Sequence, residues 1–312
     1  MKILIMGAGA LGSVFGGFLS NLNDVTLIGR GSHISKINTE GLRISGIWGE
    51  HLFTGVKAFT TVDEGIGTQD LIMITTKSYD TKEAVEQIKS LVGENSLVMS
   101  MQNGIGNEET IARAVGIDKT MGGTAIFGAQ LVTPGHVKVT VIASECLISP
   151  LSGDLEKAEE IAGNFSTSGI PTLSSDNIMR DKWMKAFYNI ALNPLSAILR
   201  VPYGVLGDHD ETKQIMGELL DEAFEVAMAE DIKLKFSSKR YLNYLLEKQL
   251  PPTANHRSSM LQDIERGKKT EIDYLNGAIV ELGKKQGIKT PVNETIVSFI
   301  KVLEKQGFSN ST

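Results

Sequence analysis

Lys185, Asn189 and Asn193 stand four residues apart in the run KWMKAFYNIALNPLSAI. On an α-helix that spacing stacks three side chains within an arc of ~80°. A lysine ammonium stabilises negative charge developing on a carbonyl oxygen and supplies a proton to it. Amides offer donors and acceptors to a small polar substrate. The neighbours Trp183, Met184, Ala186, Phe187, Ile190, Ala191 and Leu192 are apolar, so the helix is expected to be largely buried and its polar residues to need partners. We read the stripe as facing a substrate crevice. The alternative, an ordinary solvated face, fits poorly because the opposite face is not polar enough to be the outside. Pro194 follows Asn193 directly and removes a backbone donor. A carbonyl near Ile190 is expected to lack its helical partner there, and the helix to kink.

A different chemistry is encoded near the start of the chain. Gly7, Ala8, Gly9, Ala10, Leu11 and Gly12 spell G-x-G-x-x-G, between a short apolar run and a helical pattern. In that context Gly7 permits a tight turn, Gly9 lets the backbone approach a pyrophosphate, and Gly12 permits close helix–strand packing. The helix N-terminus then turns its free N–H groups toward the phosphates. The second strand ends at Ile28-Gly29-Arg30 with no carboxylate to bind a ribose 2′-hydroxyl. Gly29 is expected to leave space for a 2′-phosphate and Arg30 to pair with it, so the cofactor is read as NADP(H). The alternative for Arg30 is a solvated surface charge. Thr75-Thr76-Lys77 and Met101-Gln102-Asn103-Gly104 close two further strands, at the sheet end where such folds bind ligands. Lys77 and Asn103 are placed to reach the cofactor or a substrate, or else to cap the helices that follow.

Another polar cluster runs from Ser258-Ser259 through Arg266-Gly267-Lys268-Lys269 to Glu271 and Tyr274. Thr270 suits a helix cap, and spacing alone does not single out Glu271 over Glu265 or Asp273. The composition limits what these groups serve. The 312 residues are 41% hydrophobic and 22% charged with a net charge of −6, which suits a cored protein of about two domains rather than a nucleic-acid binder. The one cysteine, Cys146, rules out an internal disulfide and a cysteine-built metal site, and a reducing, cytoplasmic location is expected; no metal is expected either, since a nicotinamide cofactor would carry the difficult step. Residues 3–20 carry no charge, but their five glycines argue for strand, turn and buried helix over a signal peptide or membrane span.

The elements that must position these groups follow from periodicity. Ile3–Met6, Val25–Ile28, Leu71–Thr75 and Leu97–Met101 read as buried strands, with helices over 10–20, 80–91 and 107–115 between them. This is the signature of a parallel α/β sheet. Residues 42–58 read as an inserted hairpin and 120–149 as a second irregular β region turning at Thr133-Pro134-Gly135. A helix over Leu155–Phe165 and a Ser-rich linker follow. Helices are then expected over 177–199, 211–230, 237–248, 258–266, 270–286 and 292–306. The fold class is therefore α/β: a Rossmann-type doubly wound domain over 1–173 and an all-α domain over 174–312.

Three segments, KILIMGAGALGSVFG, KWMKAFYNIALNPLSAI and SSMLQDIERGKKTEIDYLNG, resemble the ketopantoate reductase (2-dehydropantoate 2-reductase) family in content, order and separation. The resemblance extends over essentially the whole chain. The first segment is generic to dinucleotide binders, and the other two are more diagnostic. The resemblance implies an enzyme that reduces 2-dehydropantoate to pantoate with NADPH, on the route to pantothenate and coenzyme A, binding both between its two domains. It implies Lys185 as general acid, and Asn189, Asn193 and Ser259 as substrate contacts. Asn103 would lie near both substrate and nicotinamide, and Glu271 would help hold the cofactor. None of the five histidines is assigned a catalytic role. The partner expected is a small 2-keto acid, with no nucleic acid and no membrane; a homodimer through the helical domain is compatible with the sequence. Two other functions are weighed: reduction of a different branched 2-keto acid, and a non-catalytic NADP-binding sensor. A sensor would need the glycine turn but not the lysine.

Overall fold

The computed structural model of the chain describes residues 1–142 and 144–309. Ala143, inside the expected second β region, and residues 310–312 at the end of the expected helical domain lie outside the described residues. The chain divides into two compact units, 1–102 with 107–181, and 103–106 with 182–312. The expected divide at 173 falls within a strand of the first unit, and the observed one falls inside a long helix.

The first unit opens with strand β1 (Lys2–Met6), helix α1 (Ala10–Leu19), β2 (Asp24–Ile28) and α2 (Gly31–Glu40). It continues through β3 (Leu42–Gly46), β4 (His51–Phe53), β5 (Lys57–Phe59), β6 (Gln69–Ile74), α3 (Thr81–Ile88), β7 (Val92–Ser100) and α4 (Asn107–Val115). It ends with β8 (Thr120–Thr124), β9 (Phe127–Thr133), β10 (His136–Ile142), β11 (Cys146–Pro150), α5 (Leu155–Ser168) and β12 (Thr172–Ser174). Eight strands form one sheet in the order β12-β11-β8-β7-β6-β1-β2-β5. From β5 across to β8 all neighbours are parallel, and β11 is antiparallel to β8. This is the doubly wound order, in which β1 and β6, the first and fourth strands of this sheet in chain order, lie side by side.

The uninterrupted apolar run of β1 has a direct cause. Ile3 and Ile5 pack with Phe15, Leu27 and Phe165 on one face, whereas Leu4 and Met6 pack with Ile72, Val85 and Ile111 on the other. Both faces of a parallel sheet are covered, so both parities of the strand must be apolar. The expected hairpin is present as antiparallel β3–β4. It also joins the later β region: β10 pairs with β3 in parallel and with β9 antiparallel, making a separate four-stranded sheet. Val137, Val139 and Ile44 of this sheet are buried in the same core as α1.

The second unit is helical. Its elements are α6 (Ile178–Leu199), α7 (Tyr203–Asp208), α8 (Asp210–Ala229), α9 (Ser238–Tyr244), α10 (Ser259–Glu265), α11 (Asn276–Gln286) and α12 (Pro291–Ser309). Phe187 of α6 stacks on Phe224 of α8 with ring centroids 4.2 Å apart. Around them Ile190, Ala191, Leu195, Leu219, Leu220 and Tyr241 form the core. The single helix expected over 270–286 begins only at Asn276. Tyr274 O accepts the N–H of Ile105 at 2.8 Å, and the N–H of Ala278 turns to Leu275 O instead. A tertiary hydrogen bond has replaced the local one, which periodicity could not show. Among the described residues no helix is long and apolar enough to cross a membrane.

Candidate active site

In the first unit the chemistry gathers at the carboxyl ends of three neighbouring strands. Met6 of β1 lies level with Ile28 of β2 and Ile74 of β6. The residues after each therefore emerge side by side: Gly7–Gly12, Gly29–Arg30, and Thr75–Lys77. The turn is tightly made. The N–H groups of Gly7 and Ala8 both reach Ile28 O, at 3.0 and 2.7 Å, and Thr75 Oγ1 donates to Gly7 O at 2.8 Å. Gly7 has φ +115°, and a β-carbon on it would stand 2.6 Å from Thr76 N. On Gly12 a β-carbon would meet Gly7 O at 2.3 Å and Thr75 Oγ1 at 2.5 Å. Both glycines are demanded by the protein itself.

Gly9 differs. Its φ of −83° suits any residue, and a β-carbon there would come no nearer to other atoms than 4.0 Å. Neither backbone nor packing requires a glycine, so the space beside it is open to a ligand. Gly9 also caps α1, whose N-terminus receives no side-chain hydrogen bond. Ala8 is buried, and Ala10 and Leu11 are half-buried. The glycine-rich turn thus presents unsatisfied N–H groups beside an open surface, which fits a dinucleotide pyrophosphate.

Arg30 is exposed and is the residue preceding α2, a helix the sequence did not announce and whose N-terminus also has no side-chain cap. Among the described residues no carboxylate pairs with Arg30. Gly29 does not leave the expected space for a 2′-phosphate. A β-carbon there would strike Ala8 Cβ at 2.6 Å and Ile34 Cδ1 at 3.1 Å, so this glycine serves the turn and not a phosphate. The open position is Gly31, where nothing lies within 4 Å. Lys77 is half-buried and precedes the short turn Ser78–Asp80 without capping it through its side chain. Gln102, buried at the end of β7, donates to Thr76 O at 3.0 Å and Thr81 Oγ1 at 2.8 Å, tying the ends of β6 and β7.

In the second unit α6 carries the stripe. Lys185 is half-buried; Asn189 and Asn193 are buried, at 9% and 4% exposure. Among the described residues neither the Asn189 amide nor Asn193 Nδ2 has a hydrogen-bond partner. Both fall outside the sealed, unpartnered atoms of the protein, so they retain a small opening to their surroundings. Asn193 Oδ1 accepts from Tyr203 Oη at 2.5 Å, and its backbone oxygen accepts from Ser258 Oγ at 3.2 Å. Ser258 is fully buried and caps α10 by accepting from Leu261 N–H at 3.0 Å. Ser259, the next residue, is exposed at the start of α10.

Helix α6 continues through Pro194, and the carbonyl it orphans is satisfied from elsewhere. Asn276 Nδ2 donates to Ile190 O at 3.2 Å and to Asn293 Oδ1 at 3.0 Å. Asn103 is half-buried, in the segment pinned to Tyr274 through Ile105; a β-carbon on Gly104 would meet Tyr274 O at 2.6 Å. Glu271, buried at 8% exposure, lies three residues before Tyr274. The second unit thus brings Asn103 and Glu271 to one segment, and Asn193 and Ser259 to another. Tyr203, Ser258 and Asn276 had no signal beyond residue type, apart from the orphaned carbonyl that required some donor.

A parallel sheet of Rossmann type with a glycine-rich turn, carried on one chain with an α-helical unit, defines a dinucleotide-binding α/β protein. The particular relatives are specific. Residues 3–153 match the family described as ketopantoate reductase PanE/ApbA, and residues 177–304 match its C-terminal part. A 2-dehydropantoate 2-reductase of Aquifex aeolicus is 42% identical over 97% of this chain and 97% of its own. The PanE/ApbA family ketopantoate reductase of Ralstonia eutropha JMP134 superimposes with a TM-score of 0.89 at 31% identity, covering 98% of this chain and 99% of that one. A ternary structure of D-mandelate dehydrogenase with NADH and anilino(oxo)acetate gives the same TM-score, identity and coverage. The chain belongs to the ketopantoate reductase family.

Proposed function

We propose that this protein reduces 2-dehydropantoate to pantoate with NADPH, within pantothenate and coenzyme A biosynthesis. The observation that carries the reading is the α6 stripe: Lys185 half-buried beside two buried asparagines whose amide donors no described residue uses. Such donors, largely buried yet open to their surroundings, are available to a small polar ligand. The near full-length similarity to 2-dehydropantoate 2-reductases supports the choice of ligand.

The residues at the strand ends fit the cofactor. The turn Gly7–Gly12 and the uncapped α1 would hold the pyrophosphate, and Arg30 with the start of α2 and the open Gly31 would hold a 2′-phosphate. Lys77, Asn103 and Glu271 are proposed as further cofactor contacts. When bound, NADPH supplies the hydride that reduces the keto carbon. Lys185 directs its ammonium at the keto oxygen, stabilises the charge that builds there, and gives up the proton. Asn189, Asn193, Asn103 and Ser259 bind the carboxylate and hydroxyl of the substrate.

A second reading has its own support. The similarity to D-mandelate dehydrogenase, solved with NADH and anilino(oxo)acetate, favours a reductase of another 2-keto acid and the other nicotinamide cofactor. The test is to follow NADPH oxidation with 2-dehydropantoate and identify the product by chromatography. Pantoate formed one-for-one with NADPH consumed supports the proposal; no turnover with 2-dehydropantoate and either cofactor contradicts it.

A further inference from the structure

Tyr203 holds a position in the second unit that the reaction chemistry does not use. It is 3% exposed, its N–H is bonded to His256 O at 3.0 Å, and its ring packs edge-on against Tyr188 at 5.7 Å and at a tilt against His256 at 5.3 Å. The ring is therefore fixed, and its hydroxyl sits 2.5 Å from Asn193 Oδ1. Burial pushes the phenol well above its ordinary range, so it keeps its proton. With its oxygen turned to the Tyr203 hydroxyl, the amide presents its nitrogen on the other side. The backbone of Asn193 is held as well, through Ser258 Oγ.

We infer that Tyr203 is a positioning residue that holds the Asn193 amide with its nitrogen outward, so that the subsite at Asn193 favours a ligand oxygen with a free lone pair. This rests on the reading of Asn193 as a substrate contact and gives it a polarity. An unanchored asparagine can turn either its oxygen or its nitrogen to a ligand and so discriminates little. The anchored one disfavours a group that can only donate, such as an ammonium. The substrate class consistent with this subsite is an acid whose carboxylate or hydroxyl oxygen accepts a hydrogen bond.

The experiment compares Tyr203→Phe, Asn193→Ala, Asn193→Asp and the Tyr203→Phe/Asn193→Ala pair. Each is measured for kcat and KM with 2-dehydropantoate, for NADPH affinity by fluorescence, and for Tm. Tyr203→Phe removes one oxygen and keeps the ring. It should lower kcat/KM about tenfold, the order expected when one buried acceptor loses its donor, with NADPH affinity within twofold of wild type. Asn193→Asp keeps an acceptor for Tyr203 but has no N–H, so it should lose as much as Asn193→Ala even if Tyr203→Phe proves unstable. Adding Tyr203→Phe to Asn193→Ala should change kcat/KM by less than twofold. An unchanged Tyr203→Phe beside a damaged Asn193→Ala would overturn the positioning role alone, as would a fully active Asn193→Asp. An unaffected Asn193→Ala in an active enzyme would overturn the substrate-contact reading itself. A wild-type chain without turnover would defeat the proposed function and this inference together.

Discussion

Replacing Asn276 with alanine tests how α6 tolerates Pro194. Asn276 is fully buried, and its Nδ2 serves two buried acceptors, Ile190 O and Asn293 Oδ1. Its own Oδ1 is sealed without a partner. Alanine therefore creates two orphaned acceptors and removes one. At about 1–3 kcal/mol per buried unsatisfied group, the net cost is about 1–3 kcal/mol. In a Pro194→Ala background the new N–H at 194 can bond Ile190 O four residues earlier, as in an ordinary helix. The same Asn276→Ala change then creates one orphan and removes one, and should cost close to nothing from this source. The coupling between the two sites should accordingly be about 1–3 kcal/mol. Urea unfolding of the four proteins of the cycle, followed by tryptophan fluorescence, measures it. Additive effects within about 0.5 kcal/mol would refute the link between Pro194 and Asn276.

Arg30→Ala should weaken NADPH binding by at least tenfold while leaving NADH nearly unchanged, as read by fluorescence titration with each; equal losses would remove Arg30 from phosphate recognition. Lys185→Ala should lower kcat by ~10²–10⁴-fold with NADPH affinity retained, and a variant with near wild-type turnover would exclude the lysine as general acid. His33 predicts an acid limit to stability. Its Nδ1 accepts from Gly135 N–H at 2.9 Å, so the proton sits on Nε2 toward Ser13 Oγ, and burial lowers its pKa below the ordinary 6.5. The unfolded chain then binds the proton more readily, so this stabilisation is complete above about 6.5 and is lost as pH falls through the folded value. His256 is shifted in the same direction by burial. His33→Gln should flatten part of the loss of Tm below pH 6.5, and an unaltered acid slope would dismiss His33 as its source.

The sequence was most legible where a local rule had a global cause. The buried runs of β1 and β6 and the glycine turn between β1 and α1 follow from covering both faces of a parallel sheet. The long helix α6 was visible from its apolar periodicity. Contacts between distant segments were not. Nothing in residues 42–46 or 136–142 announces that β3 and β10 pair. Helix α2 buries only His33, Ile34 and Ile37 and begins at Gly31-Ser32, so its apolar stripe is too thin to register. In the site, the demand for a donor at Ile190 could be read from Pro194, but the donor lies 86 residues away. Gly29 shows the opposite limit: a glycine announces that a side chain is unwelcome, and only the folded arrangement shows that the neighbouring Ala8, not a ligand, is the reason. Residue type and spacing marked Asn193 as a candidate, whereas its hydrogen bond from Tyr203, ten residues on, had no signal in the sequence.

What the α6 stripe binds is measured most directly by kcat/KM for 2-dehydropantoate against 2-ketoisovalerate, with saturating NADPH. The second acid lacks the hydroxymethyl group. A site built to hydrogen-bond a hydroxyl leaves its own polar groups unpaired with such an analogue, and the discrimination can approach ~10⁴. A preference for 2-dehydropantoate of several orders of magnitude is the predicted result. Equal turnover of both acids, or preference for the one without the hydroxyl, would contradict the assignment to pantoate.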